Sequence, residues 1–270
     1  MMSPLLQNKY HHMPSVFVVD NMLREARRQK GLPVLDVPEV CLLDPDGDMV
    51  AQLTTAGEAR SHPGWACYHT RMVTFERAGI TFGMVPNVVG APFAVLVADE
   101  LFASGCKLVI SMTSAGQIVA VGPTPYFVLI ERALRDEGTS LHYLPQSDYA
   151  HLNPNLLALF DGVHSAGRSR LISGSTWTTD APFRETAQAI EYARSQQILG
   201  VEMEAAGLYA YAEATGHAVI CLAHITNQMA QVAGDFEKGA DQGSHAALAV
   251  ISDIAARYLQ SRSASTCSIS

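Results

Sequence analysis

Residues Gly200-Val201-Glu202-Met203-Glu204-Ala205-Ala206-Gly207 set two carboxylates around a thioether, directly before a run of small residues. Carboxylates accept hydrogen bonds from vicinal hydroxyls, and a polarizable sulfur packs against a sugar ring. The segment therefore suits a pentose pocket. It also suits the first turn of a helix, where the macrodipole favours acids. The local pattern leaves both readings standing.

Three further polar segments follow apolar runs. Thr113-Ser114-Ala115-Gly116 comes after residues 107–112, a β-branched run of the kind buried on both faces. Residues 178–184 come after the run 170–175, and Thr226-Asn227-Gln228 after 218–225. Ser114 invites a nucleophile reading because Gly116 follows it, but Met112 stands where a nucleophile elbow needs its first glycine. No His, Cys and Asp grouping has metal-ligand spacing, so no catalytic metal is expected.

The elements that must carry these segments alternate in type. The patterns predict strands over 37–43, 80–85, 107–112, 141–144, 170–175 and 218–225. They predict helices over 91–104, 124–136, 153–167 and 185–195, one from Glu204 to a stop at Gly216, and a last one over 244–259. This alternation implies an α/β layered fold around a mostly parallel sheet. Such sheets bind ligands beyond the carboxyl ends of their strands, where the polar segments lie, so one shared cleft is expected.

The chain has 270 residues and 48% hydrophobic content, without a linker-like stretch or internal repeat, which suggests a single domain. A net charge of −8 argues against a nucleic-acid partner. The one basic cluster, Arg24, Arg27, Arg28 and Lys30, has near-helical spacing and suits a solvated helix face. No apolar run approaches the length of a membrane span, and residues 1–12 lack the layout of a signal peptide. Five cysteines without CxxC spacing fit a reducing compartment, most simply the cytoplasm.

Taken in order, these segments resemble the nucleoside phosphorylase family, which includes uridine phosphorylase and hexameric purine nucleoside phosphorylase and shares its fold with methylthioadenosine nucleosidase and AMP nucleosidase. The resemblance rests on residues 201–207 and on the strand that leads to Asn227, with the Ser114-Ala115-Gly116 segment in agreement. It implies a twisted mixed, mostly parallel sheet flanked by helices over residues 37–260. An N-terminal extension with a short helix (1–36) precedes it and a disordered tail (261–270) follows. It also implies a homo-oligomer, a dimer or hexamer, with sites near subunit interfaces.

By resemblance, Glu204 holds the ribose 2′- and 3′-hydroxyls, Met203 packs on the sugar, and Glu202 lines the same pocket. Phe183 falls beside the aromatic that stacks on the base, and Asn227 matches the position that contacts it. An Asn there offers a donor and an acceptor but no proton, which fits a pyrimidine such as uracil or a 6-oxopurine. The implied reaction cleaves a ribonucleoside to free base and ribose 1-phosphate, with phosphate as co-substrate and no cofactor.

The phosphate-gripping arginines of the family are absent. Ser111 occupies one position, and Leu43-Asp44-Pro45-Asp46-Gly47 replaces a Gly-Asp-Pro-x-Arg segment, with Asp46 and Asp48 adding negative charge. A third arginine usually comes from a neighbouring subunit, and Arg71 is its counterpart here. Thr113, Ser114 and Gly116 could bind an anion through hydroxyls and backbone amides. Three outcomes stay open: phosphate held by other cations such as Arg71, Arg184 or the Arg24 to Lys30 helix; water in place of phosphate, giving a nucleosidase; or nucleoside binding without cleavage.

Overall fold

The computed structural model describes residues 3–227, 238 and 240–267. Its strands are β1 (Val40–Asp44), β2 (Arg60–Ser61), β3 (Val73–Arg77), β4 (Ile80–Pro86), β5 (Leu108–Gln117), β6 (Tyr126–Asp136), β7 (Tyr149–His151), β8 (Ser165–Ala166), β9 (Ser169–Thr179), β10 (Gly200–Glu202) and β11 (Val219–Asn227). The helices are α1 (Val19–Lys30), α2 (Asp48–Thr55), α3 (Ala91–Ala103), α4 (Ser140–Tyr143), α5 (Pro154–Leu157), α6 (Ala187–Ser195), α7 (Ala205–Thr215) and α8 (Ser244–Cys267).

One mixed sheet runs in the order β10-β9-β6-β11-β5-β1-β4-β3-β2, flanked by helices as the sequence predicts. β1 lies parallel between β4 and β5, β5 is parallel to β11, and β9 is parallel to both β6 and β10. The β6 to β11 pairing is antiparallel. β10 then returns to pair with β5 through Gly200 with Gln117 and Val201 with Gly116. That last pairing closes β5, β11, β6, β9 and β10 into a ring, a feature that strand patterns alone do not reveal.

Every residue of β1 and β11 is buried, as expected of strands covered on both faces. α7 is buried from Ala205 to Tyr211 and packs against α3 and α4. Tyr209 reaches from α7 into the sheet, where its hydroxyl donates to the Ile130 carbonyl at 2.5 Å and accepts from the Cys221 amide at 3.1 Å. Cys41, Cys67, Cys106 and Cys221 are buried free thiols.

Three predicted elements differ from the observed ones. Of residues 124–136, Tyr126–Asp136 form β6 and no helix is present. Pro125 and Gly138 mimic helix punctuation, but Tyr126 to Ile130 are aromatic, β-branched or leucine and all buried, which suits a covered strand. Of residues 141–144, the first three fall in the single turn of α4 instead of a strand and Leu144 follows it; the Glu137 carboxylate accepts from the Ser140 amide at 3.0 Å. The helix expected over 153–167 stops after α5 and a 3-10 turn at Ala158–Phe160, and β8 follows. α8 runs on to Cys267, past residue 260, where the sequence suggests that a disordered tail begins.

The N-terminal extension carries α1, whose Leu23 and Ala26 are buried together with Ala66. Arg24 and Arg28 lie on the solvated face, each paired with Glu25, whereas Arg27 and Lys30 tie the helix to the body. Arg27 donates to Ser104 Oγ at 3.2 Å, and Lys30 donates to the Ala66 and Cys67 carbonyls at 2.9 and 2.6 Å. Among the described residues no helix is long and apolar enough to cross a membrane.

Candidate active site

The carboxyl ends of β5, β10 and β11, with the loops after β1 and β4, surround a cleft of about 900 Å³. Thr113, Ser114, Gly116, Phe183, Glu202, Met203, Glu204 and Asn227, all expected from the sequence, line it together. Pro45, Asp46 and Val89 complete one side, and Glu185, Glu191 and Arg194 the other.

The two acids of the Glu-Met-Glu segment have different duties. Glu202 is buried at the end of β10, and its Oε2 accepts from the Glu204 and Ala205 amides, both at 2.7 Å. Its Oε1 accepts from Thr176 Oγ1 at 3.1 Å and from Thr178 Oγ1. Thr178 Oγ1 in turn accepts from the Ala206 amide at 3.0 Å. Glu202 and Thr178 thus satisfy amides at the start of α7 that have no partner within the helix. For Glu202 the helix-start reading holds, although its side chain also borders the cleft.

Glu204 points elsewhere. Its Oε1 accepts from the Gly90 amide at 2.7 Å and its Oε2 from the Met203 amide at 3.3 Å. Only 2% of the residue is exposed. Burial, then the neighbouring Glu202 charge, pushes its pKa up to about 8, against the pull of these amides and Thr113. Burial also raises the pKa of Glu202. A buried carboxyl with a raised pKa that borders an open cleft is a candidate functional group.

Sequence reasoning missed Gly90. It precedes α3 at φ 86° and ψ 146°, a conformation that any side chain would strain, and this turns its amide toward Glu204. The only local signal is the Gly-Ala-Pro that opens the helix. Gly207 matters for space instead of backbone angle. A Cβ there would lie 2.7 Å from the Ala91 Cβ, so its lack of a side chain lets α7 approach the start of α3.

Asn227 is buried at the end of β11, and its Nδ2 donates to Thr226 Oγ1 at 3.1 Å. The pairing of β11 with β5 shifts register between Ile225 and Asn227, so Asn227 stands opposite Gly116. Such a bulge re-aims the following side chain, here at the cleft. Gln228 lies outside the described residues. Met203 is half-buried between the two acids. Phe183 sits on a 3-10 turn at the rim and is fully exposed.

Arg71, expected from the sequence to serve the site from a neighbouring subunit, is exposed and does not line the cleft of its own chain. Arg184 and the α1 cations are likewise absent from the lining. Among the described residues, the cations at or beside the cleft are Arg194, paired with Glu191 at 2.7 Å, and Lys238, 3.2 Å from Asp46 and 2.6 Å from Asp48. Asp46 Oδ2 accepts from the Ser114 amide at 3.0 Å and Oδ1 from the Ser114 hydroxyl at 3.1 Å. Asp44 caps the start of α2 through the Gly47 and Val50 amides, and burial raises its pKa to about 6.

His62 contacts the Asp36 carbonyl, His69 packs edge-on to Phe93, and His11 contacts the Leu141 carbonyl. None of these histidines lines the cleft. Asp180 braces the Gly138 amide at 2.9 Å, and Trp177 is buried with its ring nitrogen on Asp136 at 3.0 Å.

Residues 40–258 match the sequence profile of the Phosphorylase superfamily, and the chain belongs to that family. It is 28% identical over 146 residues to uncharacterized protein R802 of Acanthamoeba polyphaga mimivirus. That match covers 54% of this chain and 56% of the viral protein, so the chain spans about half the length of this relative. The fold is similar to uridine phosphorylase from Vibrio fischeri ES114, with a TM-score of 0.66, 21% identity, and 81% of this chain and 90% of that one covered. It is also similar to AMP nucleosidase from Bacteroides thetaiotaomicron VPI-5482, with a TM-score of 0.62, 20% identity, and 83% and 96% covered. A Helicobacter pylori MTAN variant with 5′-methylthioadenosine in its active site gives a TM-score of 0.65 at 16% identity, over 81% of this chain and 98% of that one.

Proposed function

We propose that this cleft cleaves the N-glycosidic bond of a ribonucleoside whose base is a pyrimidine such as uracil or a 6-oxopurine. The observation that carries the reading is Glu204, a buried carboxyl with a raised pKa, held against Gly90 and opening on the same cleft as Met203 and Asn227. Nucleoside phosphorylases and nucleosidases among the proteins of similar fold support a nucleoside as substrate.

Breaking a ribosyl C–N bond builds positive charge on the sugar and negative charge on the departing base. Glu204, ionised by the 2′- and 3′-hydroxyls that donate to it, fixes the ring and sets negative charge near the developing cation. Because the Gly90 and Met203 amides already orient the carboxylate, little reorganisation is needed as that charge grows. Met203 packs its sulfur on the sugar. Asn227 meets the amide-like edge of the base with one donor and one acceptor, and stabilises it as it leaves without giving up a proton. Phe183, at the rim, covers the base in this reading once it is bound.

The test is base release from a nucleoside panel by the wild type and by Glu204→Ala. Cleavage of uridine or inosine that drops by roughly 10²-fold or more in the variant, with an unchanged thermal midpoint, fits loss of a preorganised charge. A panel in which no nucleoside is cleaved, or a variant that keeps wild-type turnover, ends this reading.

A further inference from the structure

The geometry points to Asp46 as the residue that selects the acceptor, by occupying the anion position so that the cleft takes water in place of phosphate. The inference rests on the reading that the cleft cleaves nucleosides. A phosphate bound at the end of β5 would need the amide and hydroxyl donors of the Thr113 to Gly116 segment. Both donors of Ser114 are already taken by one Asp46 carboxylate, at 3.0 and 3.1 Å. That carboxylate is the chain's own oxyanion in the place of an external one.

The charges around it agree. Lys238, the cation beside this position, meets two acids, Asp46 and Asp48, so the group is net negative before any ligand arrives. Arg194, across the cleft, is engaged by Glu191. Ser111, three residues before Ser114 on β5, is buried, its hydroxyl has no partner among the described residues, and it carries no charge to offer. A dianion entering here would face a like charge a few ångströms away, in surroundings less polar than water, where repulsion is strong.

Asp46 lines both the open cleft and a much smaller space shared with Lys238. A pocket of about 20 Å³ lies between Asp46, Thr113, Ser114, His224, Lys238 and Ser244. That smaller space has room for one water, whereas in the open cleft it is the Asp46 charge and the occupied Ser114 donors, not the volume, that oppose a phosphate. The hydroxyl of Ser244, on a residue only 1% exposed, borders this pocket and has no partner among the described residues. With water as acceptor, its oxygen bonds to the anomeric carbon and the C–N electron pair leaves on the base. The water proton ends on the base nitrogen, so free base and ribose are the only products.

Asp46→Asn keeps the size and removes the charge, and Asp46→Gly opens the position. Both variants and the wild type are titrated calorimetrically with inorganic phosphate, after thermal melts establish that each is folded. Base release from uridine and inosine is then followed with and without phosphate, with ribose separated from ribose 1-phosphate. We expect wild-type cleavage to be indifferent to phosphate and to yield ribose. We expect the variants to bind phosphate at least about tenfold more tightly, as loss of a nearby like charge requires. Phosphate-dependent cleavage by the wild type, or variants that gain no phosphate affinity, overturns the assignment. If no nucleoside is cleaved by any of the proteins, the reading of the cleft falls, and the phosphate titration still decides whether Asp46 excludes the anion.

Discussion

At Glu204, burial costs the ionised carboxyl more than two amide donors return, and its pKa stands at about 8. In the proposed complex a nucleoside brings two hydroxyl donors to this group, and hydrogen bonds to the charged form favour it. Ligand therefore binds best to ionised protein, and binding near neutral pH expels a proton. Affinity should rise with pH by up to about tenfold per unit below pH 8 and level off above it, as linkage requires. Calorimetry in two buffers of different ionisation enthalpy counts the proton released. A dissociation constant that stays flat across this range would remove Glu204 from the sugar contact. Glu202, two positions away, has the residue type of a second pocket acid. Its four hydrogen bonds make it chiefly the brace of α7, which no pattern of types could tell apart from a ligand contact.

Among the elements, the contact between α7 and α3 sets the distance from Glu204 to Gly90. Gly207→Ala would gain about 1 kcal/mol of helix propensity. Its new Cβ, 2.7 Å from a backbone-bound Cβ at Ala91, cannot be relieved by a rotamer change, and overpacking of this kind costs roughly 1–3 kcal/mol. We predict net destabilisation in denaturant melts, with weaker nucleoside binding, and partial rescue by Ala91→Gly. Unchanged stability would mean that the helices separate at no cost. The same scale shows what is legible in advance. The segments after residues 112 and 225 and the Glu-Met-Glu turn are each visible as polar groups beside apolar runs, so their meeting in one cleft can be anticipated. Gly90 is hidden because its partner lies 114 positions away in the chain. β6 looks helical in sequence because the proline and glycine at its flanks resemble helix start and stop signals. Its β-branched and aromatic run carries the opposite message, and burial on both faces decides for the strand.

For the molecule as a whole, stability should be graded by distance from the ring. β11 is buried throughout and paired on both sides, whereas β2 is a two-residue edge strand with both residues exposed. Hydrogen exchange should therefore be slowest in β5, β6 and β11 and fastest in β2 and β3. Equal protection at the β2 edge and in the ring would contradict this. The fold class is readable from alternating elements, but closure depends on β10, three residues long, meeting two partners at once. Three residues carry too little pattern to announce such a junction.

That short strand acts as a buckle. Because β10 is fastened to β5 on one side and β9 on the other, the part proposed to grasp the pentose and the part proposed to face the attacking molecule are cast in one piece. The turns bearing Asp46 and Phe183 hang outside that casting. On the proposed reading, chemistry at either end of the substrate can thus be rewritten by redrawing a turn, while the hold on the sugar in the middle is inherited unchanged.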